Sequence, residues 1–290
     1  MHRFIEILIS ELTQGSVYAL IALGIVLLQN ATGVINFAQG DLMTLGAYVG
    51  FWWIIQRGGN QYLVYPLMLA ALFVAGVLLE RVGYAPLRKR PPLTIVISTF
   101  ALGLGIRSLL ILWQGSEPHN LPSPFGLQTV TIFGATVPRQ SILTIGVTVI
   151  VGLVLYVFFQ RSALGRQVRA LASDPETALL QGVRVRRLSP LIFGLSSALA
   201  GLAGVLVAPI LGVTPGLGFG LLLSSFAAVI LGGERLGGVA FAAMFVAIVQ
   251  AMATAYLWPN YGDAYPFVIL VLILALRPQG LVRTVTGVRY

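Results

Sequence analysis

Asp41 is the acid best placed to do chemistry in this sequence. It follows Asn36, Gln39 and Gly40 inside an otherwise apolar stretch, NATGVINFAQGDLMTLGAYVG, at residues 30–50. A carboxylate in a bilayer is costly, and by default it marks a function, such as a proton or cation site on a solute path. The same residues also have a structural reading: Asn36 or Asp41 caps a helix that restarts after a break. Both readings stand at this point. Arg107 lies within a later apolar run and either snorkels, pairs with an acid or serves a path. Glu80 and Arg81 read as an interfacial pair. His2 and His119 are too far apart and too peripheral to suggest a metal site or a triad, and no catalytic constellation appears. The sequence also lacks the Gly-x-x-x-x-Gly-Lys-Ser/Thr phosphate loop. Transport driven by ATP would therefore need separate ATPase subunits, with ATP and Mg²⁺ held by them and no cofactor on this chain.

The second chemical feature is a polar interval, RSALGRQVRALASDPETALLQGVRVRRLS, at residues 161–189. It contains six of the 18 Lys and Arg residues: Arg161, Arg166, Arg169, Arg184, Arg186 and Arg187. Basic residues beside spanning segments are retained on the cytoplasmic side, so the interval is expected to be a cytoplasmic loop. Asp174 can cap a helix there, Pro175 suits its first position and Glu176 suits the positive end of its dipole. Gly182 stops it after Glu176–Gln181. A short helix in such a loop suits the docking of a soluble partner, although the arginines could equally serve only to anchor topology.

The elements that must carry these residues are membrane helices. Only 9% of the 290 residues are charged and 57% are hydrophobic, against about a quarter charged in soluble domains. The apolar runs are continuous and long enough to span, without the alternation of barrel strands, so an all-α polytopic bundle is expected. The net charge of +9 is explained by retained loops that contact lipid and gives no reason to invoke nucleic acid. Zero cysteines exclude disulfides and thiolate metal sites.

In chain order, residues 1–13 form an amphipathic helix expected at the interface, with no signal-peptide cleavage site after it. Spans follow at 16–28 and, after a break within 30–50, in a second segment that reaches about residue 55, and then at 62–84, 93–113 and 140–159. A Pro-rich external segment, strand-like at 128–133, precedes the last of these. Beyond the basic loop come spans at 191–211, 239–257 and 266–276, a short crossing at 221–231 after a flexible turn at 215–220, and a cytoplasmic tail at 278–290. Gly194, Ala198, Gly201 and Gly204 recur every three or four residues and form a helix-packing face. The expectation is one transmembrane domain over 1–290 with eight or nine crossings and, if both early segments cross, an external amino end.

Ser16–Gly24 followed by Ala31–Met43 closely resembles the permeases of branched-chain amino acid ABC importers, LivH type. Later segments agree: Gly165-Arg166 through Asp174-Pro175, Ala178 to Gly182, Ser196–Gly204, Phe226–Gly233 and Arg277–Leu281. The resemblance implies an importer subunit in a bacterial plasma membrane. Its implied partners are a second permease of the family, two cytoplasmic ATPases and an external solute-binding protein. It also implies that the loop holding Gly165, Arg166, Arg169, Asp174, Pro175, Glu176, Ala178 and Gly182 meets the ATPases. Leucine, isoleucine and valine are the implied solutes, with urea or short amides for close relatives. Glu234-Arg235 and Arg107 depart from the family pattern. An ion-coupled transporter using Asp41 is the competing class, and the broken polar segment at 30–50 disfavours a mere scaffold.

Overall fold

A computed structural model describes residues 2–132, 135–233, 235–257 and 259–276. Glu234 and the basic tail at 278–290, with the Arg277–Leu281 motif, lie outside them. Six of the helices are long and apolar enough to cross a membrane: Leu8–Thr32, Val64–Leu87, Pro92–Gln114, Arg139–Arg161, Val185–Leu211 and Leu236–Tyr256. The protein is thus an all-α, multi-pass membrane bundle. The larger count of eight or nine needs two or three shorter helices to be added, and these six alone do not establish it.

The first helix, α1 (His2–Thr32), is continuous. The segment expected as a separate interfacial helix runs directly into the first span, because nothing between Glu11 and Ser16 breaks it. Thr13 and Ser16 turn their hydroxyls back onto the carbonyls of Ile9 and Leu12, and Gly15 lets Met244 and Ala247 approach closely. After an extended break at residues 34–36 the chain re-enters as α2 (Gln39–Phe51), which ends in a π turn at Trp52–Gln56. Next come α3 (Val64–Leu79), prolonged by a π turn to Tyr84, and α4 (Pro92–Gln114). The strand-like segment is an antiparallel hairpin, β1 (Thr129–Ile132) with β2 (Ala135–Pro138), in which Val130 faces Val137.

Helix α5 (Arg139–Arg161) leads into two short helices, α6 (Ala163–Ser173) and α7 (Pro175–Leu180). The long α8 (Val185–Leu211) begins about six residues before the expected span, so Arg186 and Arg187 belong to its first turn and not to a loop. Helices α9 (Leu217–Gly232), α10 (Leu236–Tyr256) and α11 (Tyr265–Leu276) complete the described chain. The flexible turn expected at 215–220 is mostly the first turn of α9, where Gly218 packs directly on the backbone of Gly40 and its otherwise open amide is accepted by the Thr44 hydroxyl.

Helices α1 and α8 form the centre: they touch each other, and between them contact α2, α3, α5, α9 and α10. The beginning of α1 lies with β2, and its end lies with α6. The molecule therefore has a hairpin end and an arginine-rich end, and α1 runs from the first to the second.

The small-residue face of α8 meets two neighbours, not one. A Cβ on Gly194 would strike the Phe73 ring, and one on Gly201 would strike Leu72 and Met68, all on α3. Gly204 instead lies against the Met43 carbonyl on α2, and Gly46 of α2 lies against Gly201. Ala198 is buried in the same stretch. Close approach of this kind gains dispersion contacts where apolar solvent offers no hydrophobic drive.

Candidate functional site

Two sites stand out, one at the arginine-rich end and one inside the bundle. At the arginine-rich end, the Ser162 hydroxyl accepts from the Gly165 amide and starts α6 at 2.9 Å. Sequence reading missed this cap, although Ser at the N-cap is a visible signal. Gly165 has no room for a side chain because the Phe159 backbone lies against it. Arg169 donates to the carbonyls of Phe159 and Gln160, and Arg166 donates to the Arg161 carbonyl. Both arginines thus satisfy the open carbonyls at the end of α5 and complement its dipole. Val168 and Leu171 are buried, and α6 packs on α1 and α5.

Asp174 ends α6 and caps α7. Its Oδ1 accepts from the amides of Glu176 and Thr177, both at 3.1 Å, and its other oxygen accepts from the Thr177 hydroxyl. These bonds, the Thr177 hydroxyl foremost, hold its carboxyl below the usual aspartate range. Pro175 occupies the first helical position, and Gly182 ends the motif at φ +88°. Ala178 points inward and is buried, so it is a packing residue and not a contact face. Glu176, Leu179 and Leu180 face outward, Leu180 being 89% exposed. A groove of about 370 Å³ separates α7 from the end of α1, lined by Asn30, Thr32, Leu171, Pro175, Leu179 and Val185.

Nearby, Glu80 is buried at the end of α3. It accepts from Arg88 at 2.7 Å and from the Ser189 hydroxyl at 2.6 Å. The expected Glu80–Arg81 pair is therefore replaced: adjacent helical residues point in different directions, and Arg81 is exposed. The result ties α3, the basic turn after it and the start of α8 together.

Inside the bundle, the break after α1 is stabilised locally and from a distance. Asn36 Oδ1 accepts from the Ala38 amide at 3.0 Å, and Thr99 of α4 accepts from the Phe37 amide. Gln39 donates to the Ser196 carbonyl at 2.9 Å and accepts from the Ser196 hydroxyl, which also bonds the Gly24 carbonyl. Asn36 is the local turn-former. Asp41 makes no cap bond in the first turn of α2. Its Oδ1 instead accepts from Arg107 Nε at 2.9 Å and pairs with Nη2 at 2.8 Å. The two residues lie on different helices, and sequence reading gave no signal that joined them. Gly40 meets Gly218 backbone to backbone, and Thr44 accepts from the Gly218 amide at 3.0 Å. The starts of α2 and α9 therefore lie side by side.

Six helices able to cross a membrane, a break between α1 and α2, a capped helical elbow and an ion pair between α2 and α4 define a polytopic membrane protein. The family model for the branched-chain amino acid transport system / permease component matches residues 7–274, and the chain belongs to that family. It is 32% identical over 292 residues to the high-affinity branched-chain amino acid transport system permease protein LivH of Escherichia coli K12, covering 96% of this chain and 95% of that one. Identity to BraD of Pseudomonas aeruginosa is also 32%, over 97% and 96% of the two chains. More distantly it resembles the ribose import permease protein RbsC of E. coli K12, at 26% identity over 80% of this chain and 70% of the other. The fold resembles a chain of the Streptococcus pneumoniae PsaBC complex with Fab, with a TM-score of 0.50, 16% identity, and coverage of 95% and 91%.

Proposed function

We propose that this chain is a permease subunit of a bacterial plasma-membrane ABC importer for branched-chain amino acids or related small amino acids or amides. The observation that carries the reading is α7. It is a capped helix outside the long helices, at the end richest in arginine, and it holds Leu179 and Leu180 out to solvent. Apolar side chains displayed in that way suit a protein partner better than water. With the arginine-rich end in the cytoplasm, the partner at α7 is one of two ATPase subunits. These would hold ATP and Mg²⁺. A second permease of the same family completes the path, and a solute-binding protein delivers from outside. Helices α2, α9 and α11 supply the remaining crossings, and the broken segment with Asn36, Gln39, Gly40 and Asp41 borders the path.

Closure of the ATPases would push α7. Asp174 joins α7 to α6, and α6 packs on α1, so the push moves the end of α1 and the break that follows it. The ion-coupled alternative needs Asp41 as a free proton or cation site. A carboxylate already held by a guanidinium counts against it.

Co-purification tests the proposal. Pull-down of this chain from its own membranes is expected to recover two ATPase copies and a second permease. Recovery of the chain alone, with proton-driven uptake in liposomes, would overturn it.

A further inference from the structure

Arg107 is a charge that its counterion does not cover. Counted along α4 at 1.5 Å per residue, it sits about 22 Å from the arginine-rich end and about 10 Å from the hairpin end. Yet its side chain keeps 24% of its surface, while Asp41 keeps 8%. It does not face lipid. The apolar, outward face of α4 carries Leu93, Ile97, Phe100, Leu104 and Leu112. Arg107 instead continues the opposite stripe of Ile95, Thr99, Gly103 and Leu110, which turns towards α2.

The surroundings on that side resemble a binding site. Asp41 takes Nε and Nη2, and among the described residues no partner takes Nη1. The Phe219 ring of α9 lies 5.3 Å from the guanidinium carbon and is itself 38% exposed. Gly103 leaves the space that Asp41 Oδ2 occupies; a Cβ there would lie 2.5 Å from that oxygen. The starts of α2 and α9, each the positive end of a helix dipole, meet beside this pair at Gly40 and Gly218. Both helices begin inside the bundle: Gly40 lies about 16 Å before Phe51, and α9, with 16 residues, is about 24 Å long against an apolar core of about 30 Å. Paired interrupted helices of this kind place their amino ends at anionic groups of transported solutes.

We propose that the Nη1 edge of Arg107 binds the carboxylate of the transported amino acid within the membrane, over the Phe219 ring. Asp41 is the positioning residue. It fixes the plane of the guanidinium and offsets its charge, so the carboxylate is held weakly enough to leave. An unpaired guanidinium in this setting would be both costly and a trap. Weak, directional contact suits a site that a solute must pass through. The proposal rests on the importer reading above and adds a ligand to it.

The test uses the complete importer, with its ATPases, second permease and binding protein, in proteoliposomes. Leucine uptake and ATP hydrolysis are measured together. Wild-type protein should take up leucine. Arg107→Gln should lower uptake per ATP by at least about tenfold, the scale of one lost charge-assisted hydrogen bond, while hydrolysis stimulated by the binding protein persists. Asp41→Asn, which keeps the guanidinium, should lower uptake less. The double variant D41N/R107Q separates a solute site from a structural pair. It removes both charges and lets two amides pair in their place, and it should be as defective as Arg107→Gln alone. If Arg107→Gln does not assemble, the double variant carries the test. Uptake restored in the double variant, or unchanged in Arg107→Gln, overturns the site and leaves the importer standing. A wild-type complex that takes up an amide but no amino acid overturns the site alone, and one that takes up neither overturns both.

Discussion

Asp174 shows how one side chain can set the geometry of an elbow. Three hydrogen bonds converge on its carboxylate, and they favour the ionised form. Because its folded value is lowered, its contribution is complete above the ordinary aspartate value of 3.8 and is lost only as pH falls through the lowered value. Amide exchange at residues 176–181, corrected for intrinsic rate, is therefore expected to give the same protection at pH 5 and pH 7. Asp174→Ala should abolish that protection at both, and Asp174→Ser should keep most of it. Loss of wild-type protection at pH 5 would contradict the capping account. The cap, the proline after it and the stop at Gly182 were all legible in the sequence, because each is a local signal. The pairs Asp41–Arg107 and Glu80–Arg88 were not. Their partners are chosen by helix packing, and a charge inside an apolar run says only that it needs a counterion somewhere.

Among elements, α8 is the one on which the others depend. Its glycines differ in what presses on them, and the difference predicts a ranking. Gly204 faces a backbone carbonyl of α2, which cannot rotate away, whereas Gly201 faces the flexible side chains of Leu72 and Met68 as well as Gly46. Gly152 on α5 faces open space. Folded yield in detergent should therefore fall most for Gly204→Val and be near wild type for Gly152→Ala, whose removal of a mid-helix glycine gains about 0.5–1 kcal/mol of helix propensity. Equal yields would mean that the close approach of α2 and α8 is not what holds the break in place. The periodicity of small residues is enough to disclose this face. It did not disclose that the face is shared between α2 and α3, since one stripe is wide enough to serve two neighbours. The fusion of the amphipathic segment into α1 and the early start of α9 were also hidden. A glycine or a few polar residues read as a boundary, while packing against α10 and α2 keeps both stretches helical.

At the scale of the molecule, the two ends differ in chemistry. The hairpin end carries paired short strands and an aromatic cluster in which His119 stacks on Phe51 at 4.4 Å. The opposite end carries the six arginines of residues 161–187, the Glu80–Arg88–Ser189 cluster and the α6–α7 elbow. Because the sequence has no cysteine, sidedness can be read from single substitutions. Leu127→Cys, at a fully exposed position beside the hairpin, should react with an impermeant maleimide in intact cells; Leu180→Cys should react only after permeabilisation. The reverse pattern would invert the bundle and remove the ATPases from α7. The central claim is that this elbow converts ATP hydrolysis elsewhere into movement of this bundle. Its most direct test is uptake and hydrolysis in the reconstituted importer carrying Leu180→Glu, a surface change that leaves the buried contacts of α6 and Ala178 intact. The expected result is a folded complex whose uptake per ATP collapses. Wild-type uptake at wild-type stoichiometry would contradict it.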